Sequence, residues 1–200
     1  MITQELFFTL ITFYFVMFLT PGPNNIMLTT SGIKYGFKRT IPHILGIPVG
    51  HFIQVLSVTM GLGVLFQSHP IIQSVLKILG CFYLFFLSYK IIGSLNIKFK
   101  KKDSGRPLKF YESFLFQFVN PKSWVATTTA VSIFFPKEEN FFIGILFIVG
   151  IALIILIPSA IIWTIFGNSI KIFISNNKIK NVIELIMAGL LVVTGVIIIL

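Results

Sequence analysis

Six apolar stretches, each close to the length that spans a bilayer, govern what this chain can fold into. A helix crossing a hydrocarbon core of about 30 Å needs roughly 20 predominantly apolar residues. Segments 3–33, 41–66, 70–93, 111–135, 141–166 and 182–200 meet that test; the fifth has no charged residue and the sixth only Glu184. The balance of residue types agrees. Charged residues make up 11% of the chain and hydrophobic ones 56%, against about 25% charged in a soluble domain. With six acidic residues in 200, the chain cannot cover a globule with a wetted surface. A soluble cytosolic or secreted enzyme is excluded, and an integral membrane protein is expected.

The first stretch reads as a membrane helix rather than a cleaved leader. No Lys or Arg precedes it, and Pro21-Gly22-Pro23 follows where a small-x-small cleavage site would stand. Connections are short apart from 96–107, so the spans are expected to pack as one transmembrane domain over 1–200, with halves of about 1–95 and 108–200. Cys81 is the single cysteine, which rules out an internal disulfide framework and a Cys-based metal site; it reads as a packed thiol.

The formal net charge of +10 points to membrane topology, not to nucleic acid. Seven basic residues (Lys90, Lys98, Lys100, Lys101, Lys102, Arg106 and Lys109) cluster between spans three and four. Lys34, Lys38 and Arg39 follow span one, and Lys171, Lys178 and Lys180 follow span five. The connection at 67–69 has no Lys or Arg, and Lys137 is offset by Glu138 and Glu139. Cytoplasmic loops are enriched in Lys and Arg, so odd-numbered connections are expected inside and both termini outside the cytoplasm.

Two spans are interrupted. Thr20-Pro21-Gly22-Pro23-Asn24-Asn25 and Val119-Asn120-Pro121-Lys122 cannot continue as regular helix, because proline lacks a backbone donor and clashes with the preceding turn. Irregular backbone at membrane depth survives only where it is buried in protein or lines a wet cavity. Lys34 stands 11–13 residues after Pro21–Pro23, and Lys109 stands 11–13 residues before Asn120–Lys122. At about 1.5 Å per residue, both breaks lie near the midplane. They open the two three-span halves, and an odd number of spans per half makes the halves inverted. The expected fold is therefore an all-α integral membrane protein of six transmembrane helices in two inverted three-helix halves, helices one and four broken by proline motifs. Paired broken spans of this kind mark a transporter's central site; two unrelated proline kinks are the plainer alternative.

Lys122 carries most of that reading. A cation at the centre of a span costs about 2.5–3.5 kcal/mol on insertion scales, so it needs a partner. Of the acids within the spans, Glu112 and Glu184 lie near the basic ends and Glu5 at the opposite end of the first, none at the depth of Lys122. The counter-charge then arrives with a substrate, or the carbonyls freed at a break capture the ammonium. Asn24, Asn25 and Asn120 supply donors and acceptors; Asn24 and Asn25 cannot face the same way, so one is expected to line the site and the other to cap. His51 is a candidate for a coupling proton, with a packing histidine as the alternative. Gly46-x-x-x-Gly50 and Gly32-x-x-x-Gly36 read as close helix contacts.

No Gly-x-Ser-x-Gly, His-Glu-x-x-His, P-loop or paired midplane carboxylate is present. The expectation is accordingly no enzyme, no cofactor and no metal. The residues favour a membrane transporter whose cargo brings the counter-charge to Lys122, its site built from Pro21, Gly22, Pro23, Asn24, Asn25, Asn120, Pro121 and Lys122, embedded in a lipid bilayer. A passive channel and a non-transporting membrane scaffold are the alternatives. A homo-oligomer is left open.

Several of these residues also carry a family resemblance. Thr20–Ile26 (TPGPNNI), then Gly36, Phe37, Arg39, Leu45, Gly46 and Gly50, then Leu79, Gly80, Tyr83 and Leu84, and Phe116–Lys122 (FQFVNPK) resemble the LysE/RhtB amino-acid exporters over nearly the whole chain. PGPNNI with PLKFYESFLFQFVN is similar to the cysteine/O-acetylserine exporter branch. The resemblance implies a six-helix carrier of the bacterial inner membrane that exports small amino acids or their derivatives on the proton gradient. It also implies substrate-site roles for Pro21, Gly22, Pro23, Asn24, Asn120, Pro121 and Lys122. Some members have an acidic residue where this chain has His51.

Overall fold

The computed structural model describes residues 2–93, 95, 105–136 and 139–199, and all regular structure within them is helical. Lys98, Lys100, Lys101, Lys102, Lys137 and Glu138, used above to read topology, lie outside the described residues.

Helix α1 (Gln4–Leu19) starts on Thr3, whose hydroxyl accepts from the Leu6 amide at 3.1 Å. It stops at Thr20, which turns extended (φ −66°, ψ 143°), the conformation forced on a residue before proline. Helix α2 (Pro23–Tyr35) restarts with Pro23 in its first turn, where the missing N–H removes no bond. The two helices are bent by 50°. Gly36 at φ +78° ends α2 and opens α3 (Phe37–Ser57), a junction in the left-handed region that favours glycine. A π-type turn at Val58–Leu62, with Gly61 at φ +132°, leads into the short α4 (Gly63–Ser68). Helix α5 (Pro70–Ile91) follows.

The second half repeats the broken opening. Helix α6 (Phe110–Val119) ends at an extended Asn120 (φ −85°, ψ 108°), and α7 (Pro121–Phe134) begins on the proline behind it. Asn140 caps α8 (Phe141–Ile170), which runs through Pro158 unbroken and ends in a 3₁₀ turn at Lys171–Ser175. Helix α9 (Asn177–Ile199) completes the described chain.

Among the described residues, four helical stretches are long and apolar enough to cross a membrane: Phe37–Phe66, Pro70–Ile91, Phe141–Phe173 and Asn177–Ile197. The bent α1–α2 pair provides a fifth. The remaining apolar stretch, 111–135, is divided between the short helices α6 and α7. The last helix begins at Asn177 rather than at Val182, because the Asn176 side chain accepts from the Lys178 amide and caps it. Lipid-facing side chains complete the argument for a multi-pass membrane protein: Phe8, Phe82, Leu146, Ile154, Leu185 and Ile197 all point outward and are more than half exposed. An apolar exterior this extensive is incompatible with water.

Packing is heaviest for α2 on α8, α3 on α6 and α5 on α9, with α3 also against α8 and α1 against α8. Small residues allow the close approaches. A Cβ on Gly46 would collide with Ser113 and the Phe110 carbonyl, and one on Gly50 with Gln117 and the Phe114 carbonyl. Gly32 meets the Thr164 carbonyl on α8 in the same way, and Gly167 meets Thr29. Leu10, Tyr14, Val55, Ile148 and Ala152 form one buried cluster; Leu28, Ile44, Ile47, Leu156 and Ala160 form a second. Phe18, just before the first helix break, packs against both.

Candidate functional site

The breaks at 20–22 and 120, one hundred residues apart in sequence, meet in space. Lys122 leaves the first turn of α7 and crosses to the end of α1. Its Nζ donates to the Thr20 hydroxyl at 2.7 Å, the Thr20 carbonyl at 3.0 Å and the Pro21 carbonyl at 3.2 Å. Those carbonyls have no helical partner because Pro21 and Pro23 end the hydrogen-bond ladder. They also lie at the C-terminal end of α1, where the helix dipole is negative. The ammonium is therefore held by neutral oxygens. Asn25 supports the same break from the other side, its Nδ2 donating to the Phe18 carbonyl at 2.8 Å and the Thr20 carbonyl at 2.9 Å.

Gly22 makes room for this contact. Its backbone is extended (φ −171°, ψ −178°), a conformation open to any residue. The constraint is space: a Cβ there would stand 2.9 Å from Cδ and 3.1 Å from Nζ of Lys122. On the opposite side Gly80 of α5 lies against the Pro121 ring, whose Cδ would be 2.8 Å from an added Cβ.

Asn24 reaches across to α6. Its Nδ2 donates to Gln117 Oε1 at 2.9 Å and its Oδ1 accepts from Gln117 Nε2 at 3.1 Å, a reciprocal amide pair. Gln117 Nε2 also donates to the Ser113 carbonyl at 3.0 Å. The Gln117 carbonyl accepts from Gln54 Nε2 at 2.8 Å, and Gln54 Oε1 accepts from the Ser123 hydroxyl at 2.6 Å. Asn120 caps α7, accepting from the Lys122 amide at 3.1 Å. In a low-dielectric interior such a network is stable only when its members are paired, and here each broken helix satisfies the other.

His51 lies on α3 beneath this network. Its Nδ1 is 3.3 Å from the Thr127 hydroxyl, while Nε2 is buried without a hydrogen-bond partner among the described residues. Phe18 and Tyr14 flank it edge-on, with ring centroids 5.3 and 5.9 Å away. Gly22, Asn24, Gln117, Asn120, Lys122 and His51 all line one cavity of about 30 Å³, about the volume of one water. Among the described residues, no acidic side chain lines it.

The N-terminal ends of α2 and α7 and the Lys122 side chain give the cavity a positive wall, while the Thr20 and Pro21 carbonyls that hold the ammonium lie outside its lining. Among the described residues, no cluster of His, Cys, Asp or Glu could hold a metal ion.

Of the residues singled out from sequence, Gly22, Pro23, Asn24, Asn25, Asn120, Lys122 and His51 line the cavity. Pro21 contributes its carbonyl to Lys122 and Pro121 sets the start of α7. Sequence reasoning did not assign roles to Gln117, Gln54, Ser123 and Thr20. A signal for two of them was available: Gln54 and Gln117 are uncharged polar residues inside apolar spans, where polar groups are expected to face the bundle interior.

Comparison with known proteins is consistent across the chain. The family described as LysE type translocator matches residues 15–200. Cysteine/O-acetylserine efflux proteins are similar to it. Those of Escherichia coli strain K12 and of E. coli O139:H28 are each 30% identical over 162 residues, covering 78% of this chain and 75% of theirs. That of Salmonella paratyphi A is 31% identical over 140 residues, covering 67% of this chain and 69% of its own. No solved structure matches.

Proposed function

This chain belongs to the LysE type translocator family, and from that premise we infer that it is a secondary exporter of a small zwitterionic amino acid or amino-acid derivative. It is a transporter and not an enzyme. Cysteine and O-acetyl-L-serine are the first cargoes to test, because the similar proteins are named for their efflux.

One observation carries the reading of the site. The Lys122 ammonium sits on carbonyls of the broken α1, with no carboxylate in the cavity wall. In this arrangement Lys122 occupies the place of a cargo ammonium. An arriving amino acid exchanges with it: the cargo carboxylate pairs with Lys122 and the positive ends of α2 and α7, and the cargo ammonium takes over the Thr20 and Pro21 carbonyls. Asn24, Gln117 and Asn120 orient the backbone of the cargo. A cavity of about 30 Å³ is too small for any amino acid, so loading requires the α1–α2 and α6–α7 pairs to separate. In this reading, alternating access is the separation of the two broken pairs toward one side at a time.

The packing pattern supports two inverted halves, 1–95 and 108–200. Each broken pair rests on the long helix of the other half, α1–α2 on α8 and α6 on α3, while the last helices α5 and α9 pair with each other. Exchanging the halves keeps the pairing of whole spans, although α2 bears most of the first contact and α6, rather than α7, most of the second. Basic residues put the end bearing Lys34, Lys90 and Arg106 in the cytoplasm, hence both termini outside, in the inner membrane of a bacterium. Proton coupling is assigned to His51, whose unpartnered Nε2 lies at the cavity wall.

The test is counterflow. Proteoliposomes of the purified chain, preloaded with unlabelled O-acetyl-L-serine, should accumulate labelled O-acetyl-L-serine transiently, and an imposed pH gradient should drive net flux that an uncoupler abolishes. A passive pore equilibrates label without overshoot and ignores the uncoupler. A scaffold moves nothing.

A further inference from the structure

Tyr14 of α1 and His51 of α3 are both buried, with ring centroids 5.9 Å apart at 83°. Among the described residues, buried side-chain polar atoms without a hydrogen-bond partner occur on Tyr14, His51 and His43. His43 stands two turns from His51, about 12 Å along α3, whereas the Tyr14 and His51 rings are in contact. The hydrogens follow from the bonds around them. The Thr127 hydroxyl donates to the Ser123 carbonyl at 2.9 Å, so its oxygen is left to accept, and His51 Nδ1, 3.3 Å away, is the donor. A neutral imidazole carries its proton on one nitrogen and a lone pair on the other. His51 Nε2 is therefore an acceptor without a donor, beside a Tyr14 hydroxyl that is a donor without an acceptor.

The surroundings of Tyr14 give its hydroxyl no other use. The ring belongs to the apolar cluster of Leu10, Val55, Phe134, Ile148 and Ala152 and stacks on Phe18 at 4.9 Å. A phenylalanine would fill that place without burying an unbonded hydroxyl, which is costly in an apolar interior. His51 lines the cavity between the two breaks and Tyr14 does not. Tyr14 stands about 9 Å along α1 from Thr20, toward the N-terminus, which is the outer side in the topology proposed above. Of the groups that face His51 from α1, α2, α6, α7 and α8, Tyr14 and Lys122 are the titratable ones. The Lys122 ammonium is already held by the Thr20 and Pro21 carbonyls.

We propose that Tyr14 is the proton donor to His51, the inner end of the route by which protons enter from outside. This inference rests on the coupling role given to His51 above. Loading already requires the α1–α2 pair to move, and movement of α1 brings the Tyr14 oxygen onto Nε2. The hydroxyl proton then passes to Nε2 while the same oxygen takes another from water admitted on the outer side, so Tyr14 ends unchanged. The imidazolium keeps its Nδ1 bond to Thr127. Loss of the Nε2 proton toward the cytoplasm returns the ring to its neutral form.

Tyr14→Phe removes the hydroxyl and keeps the ring, its stack on Phe18 and its packing. In proteoliposomes with an imposed pH gradient, net O-acetyl-L-serine flux should fall at least about tenfold, since a positioned proton donor contributes about 10²- to 10⁴-fold. Counterflow without a gradient should stay within about threefold of the parent. The purified variant should unfold at the parent's temperature or above it, because no bond is lost. Lowering the outer pH should speed net flux in the parent and leave the variant unchanged. Gradient-driven flux within about threefold of the parent, where His51→Gln has lost its gradient dependence, overturns the role of Tyr14 and leaves that of His51 standing. Equal losses of counterflow and net flux overturn it as well, since the hydroxyl then serves movement of the cargo. So does unfolding several degrees earlier, which makes the hydroxyl a structural partner. Retained gradient dependence in His51→Gln removes coupling from His51, and absent counterflow in the parent removes the transport reading; in either case the role of Tyr14 falls with the reading it rests on.

Discussion

Replacing Lys122 with Met separates what this residue does for the fold from what it does for transport. The side chain keeps its length and loses the ammonium, and with it three donated bonds. Two of the three acceptors keep another bond: the Thr20 carbonyl still receives Asn25 Nδ2, and the Thr20 hydroxyl still donates to the Val16 carbonyl at 2.6 Å. Only the Pro21 carbonyl loses its partner, a loss of about 1–3 kcal/mol. Against that, removing a cation from membrane depth relieves a cost of about 2.5–3.5 kcal/mol. The two nearly cancel, so Lys122→Met should insert normally and unfold within a few degrees of the parent. Transport should respond differently. Removing one partner of a buried, hydrogen-bonded ion pair costs about 3–5 kcal/mol, which at 1.4 kcal/mol per tenfold corresponds to a loss of about 10²-fold to several thousand-fold in export efficiency. The assay is initial counterflow rate in proteoliposomes, normalised to protein content, beside a thermal unfolding curve of the same preparation. Export within threefold of the parent would remove Lys122 from the site. A variant that fails to fold would instead show that the ammonium is a structural tie between the broken helices.

Three further outcomes test the surrounding geometry. Gly22→Ala places a methyl 2.9 Å from Lys122 Cδ; the extended backbone accepts alanine, so stability should fall by less than about 1 kcal/mol while counterflow drops about tenfold. Asn24→Leu and Gln117→Leu break one reciprocal amide pair, and a double-mutant cycle on unfolding should give a coupling of about 0.5–2 kcal/mol; a coupling near zero would mean the two amides do not act together. His51→Gln keeps a polar group beside Thr127 but cannot take up a proton. Counterflow should persist while net flux loses its dependence on the pH gradient, and retained dependence would assign coupling to another group facing the cavity.

The site was partly legible because proline beside polar residues marks a break that proline alone does not. Pro42, Pro48 and Pro158 stay inside α3 and α8, whereas Pro21 and Pro23 flank a glycine before two asparagines and Pro121 stands between Asn120 and Lys122, and the spacing from Lys34 and Lys109 gave both interruptions a common expected depth. The kink at Gly61 left no comparable trace, since a lone glycine inside an apolar run is compatible with straight helix. Gln117 and Gln54 were visible as polar residues in apolar spans, but nothing local says that Gln117 pairs with Asn24, 93 positions away. Lys122 was recognisable as a cation in need of a partner. That the partner is the end of α1 depends on how the two breaks face each other.

Hydropathy and backbone chemistry act within a few residues, so the amino-acid order alone determined a multi-span helical membrane protein, the two fracture points and the polar groups beside them. Which groups touch is a property of helices packed against each other at distances set by glycine. Gly46 and Gly50 bring α3 against α6, Gly32 and Gly167 bring α2 against α8, and Gly22 opens the space that Lys122 fills. Tertiary packing alone therefore decided that the ammonium lands on carbonyls and that Asn24 pairs with Gln117, because side-chain reach of a few ångströms converts small changes in helix spacing into a different set of partners.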